Sequence, residues 1–248
     1  MNKFHGMVER LFRRLGYVIE PAWRYSPNTL ETHLAALLRM REITCVLDVG
    51  ANVGQYHDRL RHSVGFDGHV VSFEPVAANF AQLESKAPSD ARWSLFHCAL
   101  GAENTRSKIN VMRETQLSSF LSPDHTAIKE FTRQNEVLYR EEIEVRTLAD
   151  AFRDIEQRAI PTDRCYLKLD TQGYDLQVLE GAKPVLDRVH AMQMEMPLLP
   201  IYKGMPSLTD GLAMVTSLGF DATGLFPVGR DSQLRVIELD CVFTRRAS

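Results

Sequence analysis

Four acidic residues stand at the carboxyl ends of short apolar runs: Asp48 in Thr44–Val49, Glu74 after His69–Phe73, Asp170 after Cys165–Leu169, and Glu195 closing Val189–Glu195. A carboxylate at such a place is half withdrawn from water. It is suited to hold a cationic ligand, to bind hydroxyl groups, or to take a proton with a raised pKa. What separates these options is the chain around each acid.

The first run leads into Asp48-Val49-Gly50-Ala51-Asn52-Val53-Gly54-Gln55. In an open α/β sheet the first strand-to-helix turn carries glycines that let a ligand approach the backbone. Gly50 supplies the bend and Gly54 the close helix approach, with Ala51 between. The central position of the dinucleotide pattern is Asn52, where glycine would let a pyrophosphate press against the chain. Asp48 would repel a pyrophosphate and favour an ammonium group, so the loop prefers a cationic ligand. Glu74, followed by Pro75, lies roughly twenty residues past the glycines, where this fold places a carboxylate on ribose hydroxyls. Taken singly, these residues also fit an ordinary turn and an exposed helix-start acid; their joint spacing points to a ligand. The chain has no Gly-x-x-x-x-Gly-Lys-Ser/Thr loop and no Tyr-x-x-x-Lys pair, which argues against a nucleoside triphosphatase and a short-chain dehydrogenase. A nicotinamide-dependent sugar oxidoreductase stays as a disfavoured alternative.

The elements that must position these acids alternate along the chain. Strands are predicted at Thr44–Val49, His69–Phe73 and Trp93–Cys98, with helices at Gly54–His62 and Ala77–Lys86 between them, as in consecutive βαβ units. The rhythm breaks after Gly101. Lys108–Met112 and Ile143–Arg146 read as a strand pair around a polar stretch with a helix at Pro123–Glu136, an insertion over about 102–150 beside the site. It resumes with a strand at Cys165–Leu169, a helix at Tyr174–Leu186, a strand at Val189–Glu195, a helix at Ser207–Leu218, and strands at Phe220–Leu225 and Arg235–Phe243. The turn joining the last two is too short for a parallel crossover, so the final strand must run antiparallel. The expected fold is α/β: a doubly wound, Rossmann-like sheet of seven strands with the last antiparallel, the layout of class I methyltransferases. Residues 1–42 are expected as a helical segment packed on a core domain of 43–248.

Composition adds limits. The chain has 248 residues, a formal net charge of -3 and 25% charged residues, which offers no basic surplus for nucleic acid or anionic lipid. Neither an Asn/Asp-Pro-Pro-Tyr/Phe motif nor a Pro-Cys nucleophile occurs, so nucleic acid is not an expected partner. The four cysteines, Cys45, Cys98, Cys165 and Cys241, form no Cys-x-x-Cys pair and read as buried thiols in a reducing compartment. With no long apolar run and no secretory signal pattern, a cytoplasmic protein without a transmembrane segment is expected. Met7–Leu15 forms a short basic amphipathic segment, read as a helix packed on the domain or on a second subunit, with a membrane surface as the alternative. An oligomer is compatible with this.

Several ordered motifs resemble the FkbM family of methyltransferases, from about Cys45 to Phe243. They are Leu47–Tyr56; Phe73-Glu74-Pro75; Ala99-Leu100-Gly101; Ser118-Ser119-Phe120; Val145–Asp150; Leu167–Asp175 with Val178-Leu179-Glu180-Gly181; and Glu195, Tyr202 and Leu218-Gly219-Phe220. The Lys-x-Asp-x-x-Gly-Tyr-Asp stretch is the most particular of them. The resemblance implies S-adenosylmethionine as cofactor and an O-methyltransferase acting on a hydroxyl of a sugar, glycolipid, polysaccharide or polyketide. Asp48, Gly50, Ala51, Asn52, Gly54, Glu74, Pro75, Ala99, Leu100 and Asp170 are then the expected cofactor-binding residues. Many related enzymes hold the adenine amino group with an acid after the third strand. Here Cys98-Ala99-Leu100 stands there, so backbone and apolar adenine contacts are expected.

Methyl transfer from a sulfonium needs alignment and help for a weak hydroxyl to lose its proton. Candidate residues for this step are Asp170, Gln172, Asp175 and Glu195 at the fourth and fifth strand ends, with Asp170 and Glu195 favoured as the base. A divalent cation shared by Asp170 and Glu195 is the alternative. Asp175 also fits a helix cap. His97 fits a core histidine, whereas His125 sits in the insertion and is kept as a third catalytic candidate. Lys168 shares a strand face with Asp170 and fits an ion pair with a neighbouring acid. Ser118, Ser119 and Tyr139 make the insertion suited either to a hydroxyl-rich acceptor or to a solvated lid. A catalytically silent cofactor-binding protein is the other reading.

Overall fold

The computed structural model describes residues 12–16, 29–126 and 131–246. Most of the expected Met7–Leu15 segment lies outside them, as do residues 127–130 of the expected helix at Pro123–Glu136.

Helix α1 (Leu30–Met40) starts where the Thr29 side chain accepts from the Thr32 amide, and its first and last turns carry Glu31 and Arg39, matched to the helix dipole. Leu30, Leu34, Leu37 and Leu38 lie on one face and are buried, each worth about 1.5–3 kcal/mol against exposure. Strands β1 (Cys45–Val49) and β2 (His69–Phe73) follow, joined by helix α2 (Gln55–Arg59), which runs on into a π-helical turn at Leu60–Val64. Helix α3 (Ala77–Lys86) leads to β3 (Trp93–Phe96).

The third strand ends two residues earlier than expected. His97 turns outward, stacks on Phe80 at 4.4 Å and meets the Pro75 carbonyl at 3.1 Å. The chain then leaves the main sheet as β4 (Ala99–Leu100), beside β5 (Thr105–Met112) and β6 (Val137–Arg146) in a second, three-stranded sheet ordered β4-β6-β5. This is the inserted strand pair, longer than its sequence signal. The parts of the insertion flanking residues 127–130 are not helical: Phe131–Asn135 forms turns, and Pro123 bridges to Tyr202. Asp124 accepts from both the Thr126 amide and hydroxyl, a local hydrogen-bond pattern that competes with a helical start.

Helix α4 (Leu148–Gln157), β7 (Cys165–Leu169), helix α5 (Asp175–Ala182), β8 (Val189–Pro197), helix α6 (Leu208–Ser217), β9 (Phe220–Pro227) and β10 (Glu238–Arg245) complete the chain. α5 is shorter than expected because Pro184 tightens its continuation into a 3-10 turn at Lys183–Arg188. The main sheet is seven-stranded in the order β3-β2-β1-β7-β8-β10-β9. β10 is antiparallel to both neighbours and the rest of the central pairs are parallel. Among the described residues no helix is long and apolar enough to cross a membrane.

Both faces of the sheet are covered, so β1 and β7 are buried at every position. One face packs Leu47, Val49 and Leu167 against Leu148, Phe152 and Leu179 of α4 and α5. The other packs Val46, Val70 and Tyr166 against the α1 leucines and Leu60. On this second face, one turn of pleat closer to the carboxyl ends, the apolar pattern gives way to a row of polar residues. The register sets Ser72, Asp48, Lys168 and Gln193 side by side on β2, β1, β7 and β8. Trp93 Nε1 donates to Ser72 Oγ at 3.0 Å, Ser72 donates to Asp48 at 3.2 Å, and Lys168 Nζ lies 3.0 Å from Asp48.

Because Asp48 and Lys168 are both buried, removing one partner strands the other. Asp48→Ala is expected to cost about 3–5 kcal/mol in chemical unfolding, and adding Lys168→Met should restore a large part of it. Equal stability of Asp48→Ala and wild type would contradict this pairing.

Candidate functional site

Strand order reverses direction between β1 and β7, and a crevice opens beyond their carboxyl ends, as expected for such a sheet. It has two lobes. The first is mainly apolar and is walled by Val76, Cys98, Leu100, Ile109 and Phe120, with Glu74 and Pro75 along one side. The second is polar and is walled by Gln55, Arg59, Lys168, Gln193, Glu195 and Asp240. Gly50, Asn52, Gln116 and Asp170 line both and form the join.

The glycine loop is built as a close approach. Gly50 has φ +79°, and a Cβ there would stand 2.0 Å from the Asp170 carbonyl oxygen. Gly50 and Ala51 both donate to the Phe73 carbonyl at 3.1 Å, which ties the loop to the end of β2. Asn52 is left-handed at φ +49°, a conformation asparagine tolerates because its side chain bonds locally: Oδ1 accepts from the Val53 amide at 2.9 Å. Gly54, at φ +92°, packs against Trp93 and Leu83 and does not line the crevice.

Glu74 accepts from the Asn52 amide at 2.8 Å, the Val76 amide at 2.9 Å and Asn79 Nδ2 at 3.3 Å. Burial nevertheless pushes its pKa up to about 7. Pro75, Ala99 and Leu100 line the apolar lobe beside it. The outward turn at His97 is what brings Cys98, Ala99 and Leu100 there.

Asp48 is expected at the ligand, and the structure places it elsewhere. It is fully buried, lines neither lobe, and its charge is committed to Lys168. Burial alone would lower the Lys168 pKa, but Asp48 and Asp170 reverse the sign and hold it above its usual value. Lys168 Nζ also reaches Asp170 at 3.4 Å and donates to the Gly50 carbonyl at 3.3 Å. The carboxylate that faces both lobes is Asp170, with its side chain 36% exposed.

Asp170 and Glu195 are brought together. Gln172 Nε2 donates to Asp170 Oδ1 at 3.0 Å and to Glu195 Oε2 at 2.9 Å. Glu195 is held well above the ordinary glutamate range by burial, then by Asp170, Glu238, Asp240 and Asp175. Two of these neighbours, Glu238 and Asp240, are absent from the sequence reading. Asp240 pairs across the sheet with Glu195 and accepts from Gln193 Nε2 at 2.7 Å. Glu238 is buried, and burial followed by Asp170 and Asp175 pushes it up to about 8. Both sit on the antiparallel strand, so only its register against β8 would have signalled them. Asp175 does not cap its helix; it braces the preceding loop by accepting from the Thr171 amide at 3.0 Å and hydroxyl at 2.9 Å. Burial raises it to about 6.

His125 is not in the crevice. It meets Asn135 at 2.7 Å, and the Asp124 amide donates to Ile201, which pins that stretch to the loop after β8. The parts of the insertion that reach the crevice are instead Ile109, Ser118, Phe120 and, from the 3-10 turn Thr115–Leu117, Thr115 and Gln116. Asn52 Nδ2 donates to Thr115 Oγ1 at 3.0 Å, and Gln116 borders both lobes. Ser118 and Phe120 carry a sequence signal for this region; Thr115 and Gln116 carry none. The divalent cation considered for Asp170 and Glu195 gains no support, since an amide stands between the two carboxylates. Among the described residues no three His, Cys, Asp or Glu side chains are grouped to hold a metal.

Residues 48–222, more than two thirds of the chain, match the methyltransferase FkbM domain. The chain belongs to the FkbM methyltransferase family. A crystal structure of an FkbM methyltransferase from Methylobacillus flagellatus is similar with a TM-score of 0.51 at 16% identity, covering 82% of this chain and 44% of that one. This FkbM chain thus spans less than half the length of that relative. A putative O-methyltransferase from Klebsiella pneumoniae has a TM-score of 0.49 at 12% identity, covering 100% of this chain and 91% of that one. At 16% identity the first of these likenesses concerns the fold alone, that of a class I methyltransferase. No curated protein matches the sequence significantly.

The raised acids of this FkbM protein have a thermodynamic consequence. Glu74, Asp175 and Glu238 keep their protons in the folded state at pH values where the unfolded chain has lost them. The folded state then binds more protons, so stability falls as pH rises through the window from the ordinary carboxylate range to about 8. The thermal midpoint of the free protein should drop from pH 5 to pH 8, and Glu238→Gln should flatten the upper part of that drop. A midpoint rising across this window would contradict the assignment.

Proposed function

We propose that this chain is an S-adenosylmethionine-dependent O-methyltransferase whose acceptor is a hydroxyl of a sugar, glycolipid, polysaccharide or polyketide-type natural product. The observation that carries the reading is one crevice divided into an apolar lobe edged by Glu74 and a polar lobe rich in carboxylates, joined at Gly50 and Asp170. That division suits a cofactor whose nucleoside and reactive end differ in polarity. Membership in the FkbM family supports the reaction class.

The residues present fit the cofactor. Pro75, Val76, Leu100 and Ile109 offer apolar faces for adenine, and Glu74 is a hydrogen-bond acceptor for the ribose diol. Asp170, at the join, offers negative charge for the ammonium group in place of the buried Asp48. Gly50 leaves the backbone bare where a side chain would crowd the strand ends. A diphosphate is disfavoured at this join because its charge would face Asp170.

When bound, S-adenosylmethionine supplies an electrophilic methyl group on a sulfonium. The chain's part is to hold an acceptor hydroxyl in line with it and to take the hydroxyl proton. Glu195 is our general base. It walls the polar lobe, and its raised pKa makes it a stronger proton acceptor than an ordinary glutamate, while Gln193 and Asp240 beside it suit hydroxyl hydrogen bonding. A base must be unprotonated to act, so the transfer rate should rise with pH through the Glu195 ionisation.

Calorimetry should detect S-adenosylmethionine binding to the wild type and to Glu195→Ala alike. Comparing extracts of cells with and without the protein by mass spectrometry should reveal a missing methyl ether. On that acceptor Glu195→Ala should be slower by about 10²–10⁴-fold. Absence of cofactor binding would end the reading, and equal rates would remove Glu195 from it.

A further inference from the structure

Between the two carboxylates that the proposed reaction needs stands a residue with no acid–base chemistry of its own. Gln172 is buried, and its backbone is left-handed at φ +53°. That conformation is uncommon for a residue with a side chain and survives only where the surroundings impose it. The surroundings here are specific. Ser119 Oγ donates to the Gln172 carbonyl at 2.7 Å, and Gly173, itself at φ +92°, follows. The result is a side chain aimed back across the ends of β7 and β8.

The amide is used at both ends. Its nitrogen donates to Asp170 at 3.0 Å and to Glu195 at 2.9 Å. Its oxygen lies 3.0 Å from the hydroxyl of Tyr202, which is wholly buried. The same hydroxyl lies 2.6 Å from the Leu117 carbonyl, and its single hydrogen is shared between these two acceptor oxygens. A flipped amide would turn its oxygen onto two carboxylates, so only one orientation is compatible with its neighbours. Leu117 ends the 3-10 turn whose Gln116 borders both lobes. The amide therefore links the two carboxylates to the segment that lies along the crevice.

We propose that Gln172, oriented by Tyr202, is a positioning residue: one amide nitrogen holds Asp170 toward the join of the lobes and Glu195 toward the polar lobe, in fixed relation to the turn Thr115–Leu117. This rests on the reading of Glu195 as proton acceptor and adds the device that sets its place and its ionisation. Each amide hydrogen bond favours the charged form of the carboxylate that receives it. Without the amide, Asp170 and Glu195 face one another with less compensation, and Glu195 holds its proton to higher pH.

The test needs no acceptor. Carboxyl 13C NMR on protein labelled at Asp and Glu, with Glu195→Gln used to assign its resonance, follows the Glu195 titration directly. Gln172→Met, close in volume and without hydrogen-bond donors, should move the Glu195 midpoint upward by about one pH unit. Tyr202→Phe removes a single oxygen and should move it in the same direction by less, and it serves if Gln172→Met fails to fold. An unchanged Glu195 midpoint in the folded variants would overturn the proposal. Calorimetry with S-adenosylmethionine on the same samples keeps the two claims apart. Failure of the wild type to bind defeats the functional reading, whereas cofactor binding with an unmoved titration defeats only the positioning role.

Discussion

A buried ammonium group holds the carboxyl edge of this sheet together. Lys168 comes out of water only because Asp48 on one side and Asp170 on the other keep it charged, and it closes the gap between β1 and β7 at the point where a ligand crevice must open. The same contact orients two features of that crevice. It reaches the Gly50 carbonyl, and it takes one oxygen of Asp170 while Gln172 takes the other. The two charges are thereby placed differently: Asp48 is buried against Lys168, and Asp170 lines the crevice.

Around that pivot the polar row extends across the sheet from Trp93 through Ser72, Asp48, Lys168, Asp170 and Gln172 to Glu195. Such a network is costly if any member is unmatched and rigid when all are matched. Rigidity is what methyl transfer asks of a protein, because displacement at carbon depends on alignment more than on activation. Beside the row, the chain's exit from the main sheet at His97 delivers Cys98, Ala99 and Leu100 to the apolar lobe. The apolar lobe and the polar lobe thus meet at Gly50 and Asp170.

Much of this was legible in the residues themselves. Apolar runs punctuated by Gly50, Gly54 and the strand-end acids reveal the parallel strands, and the short turn before β10 reveals its reversed direction. Local pattern misled where a long-range partner decided the outcome. Asp48 reads as a ligand acid from its place after an apolar run, but its partner Lys168 lies on a strand far away in sequence, and only pairing of β1 with β7 brings them together. Asp240 and Glu238 carry no local signal because their relevance depends on the antiparallel register with β8. His125 looked available because it lies in a polar insertion. The contacts of Pro123 and Asp124 with the loop after β8 carry it off, and Thr115–Leu117 takes the place beside the crevice.

On the proposed function, the apolar lobe receives a nucleoside and the join at Gly50 and Asp170 receives an amino-acid group of positive charge. A crystal structure of the complex with S-adenosylhomocysteine tests it most directly. The expected result is adenine between Val76 and Leu100, the ribose hydroxyls on Glu74, and the ammonium group against Asp170. A structure with the adenine in the polar lobe, or with a phosphate-bearing ligand seated against Gly50 and Asn52, would contradict it.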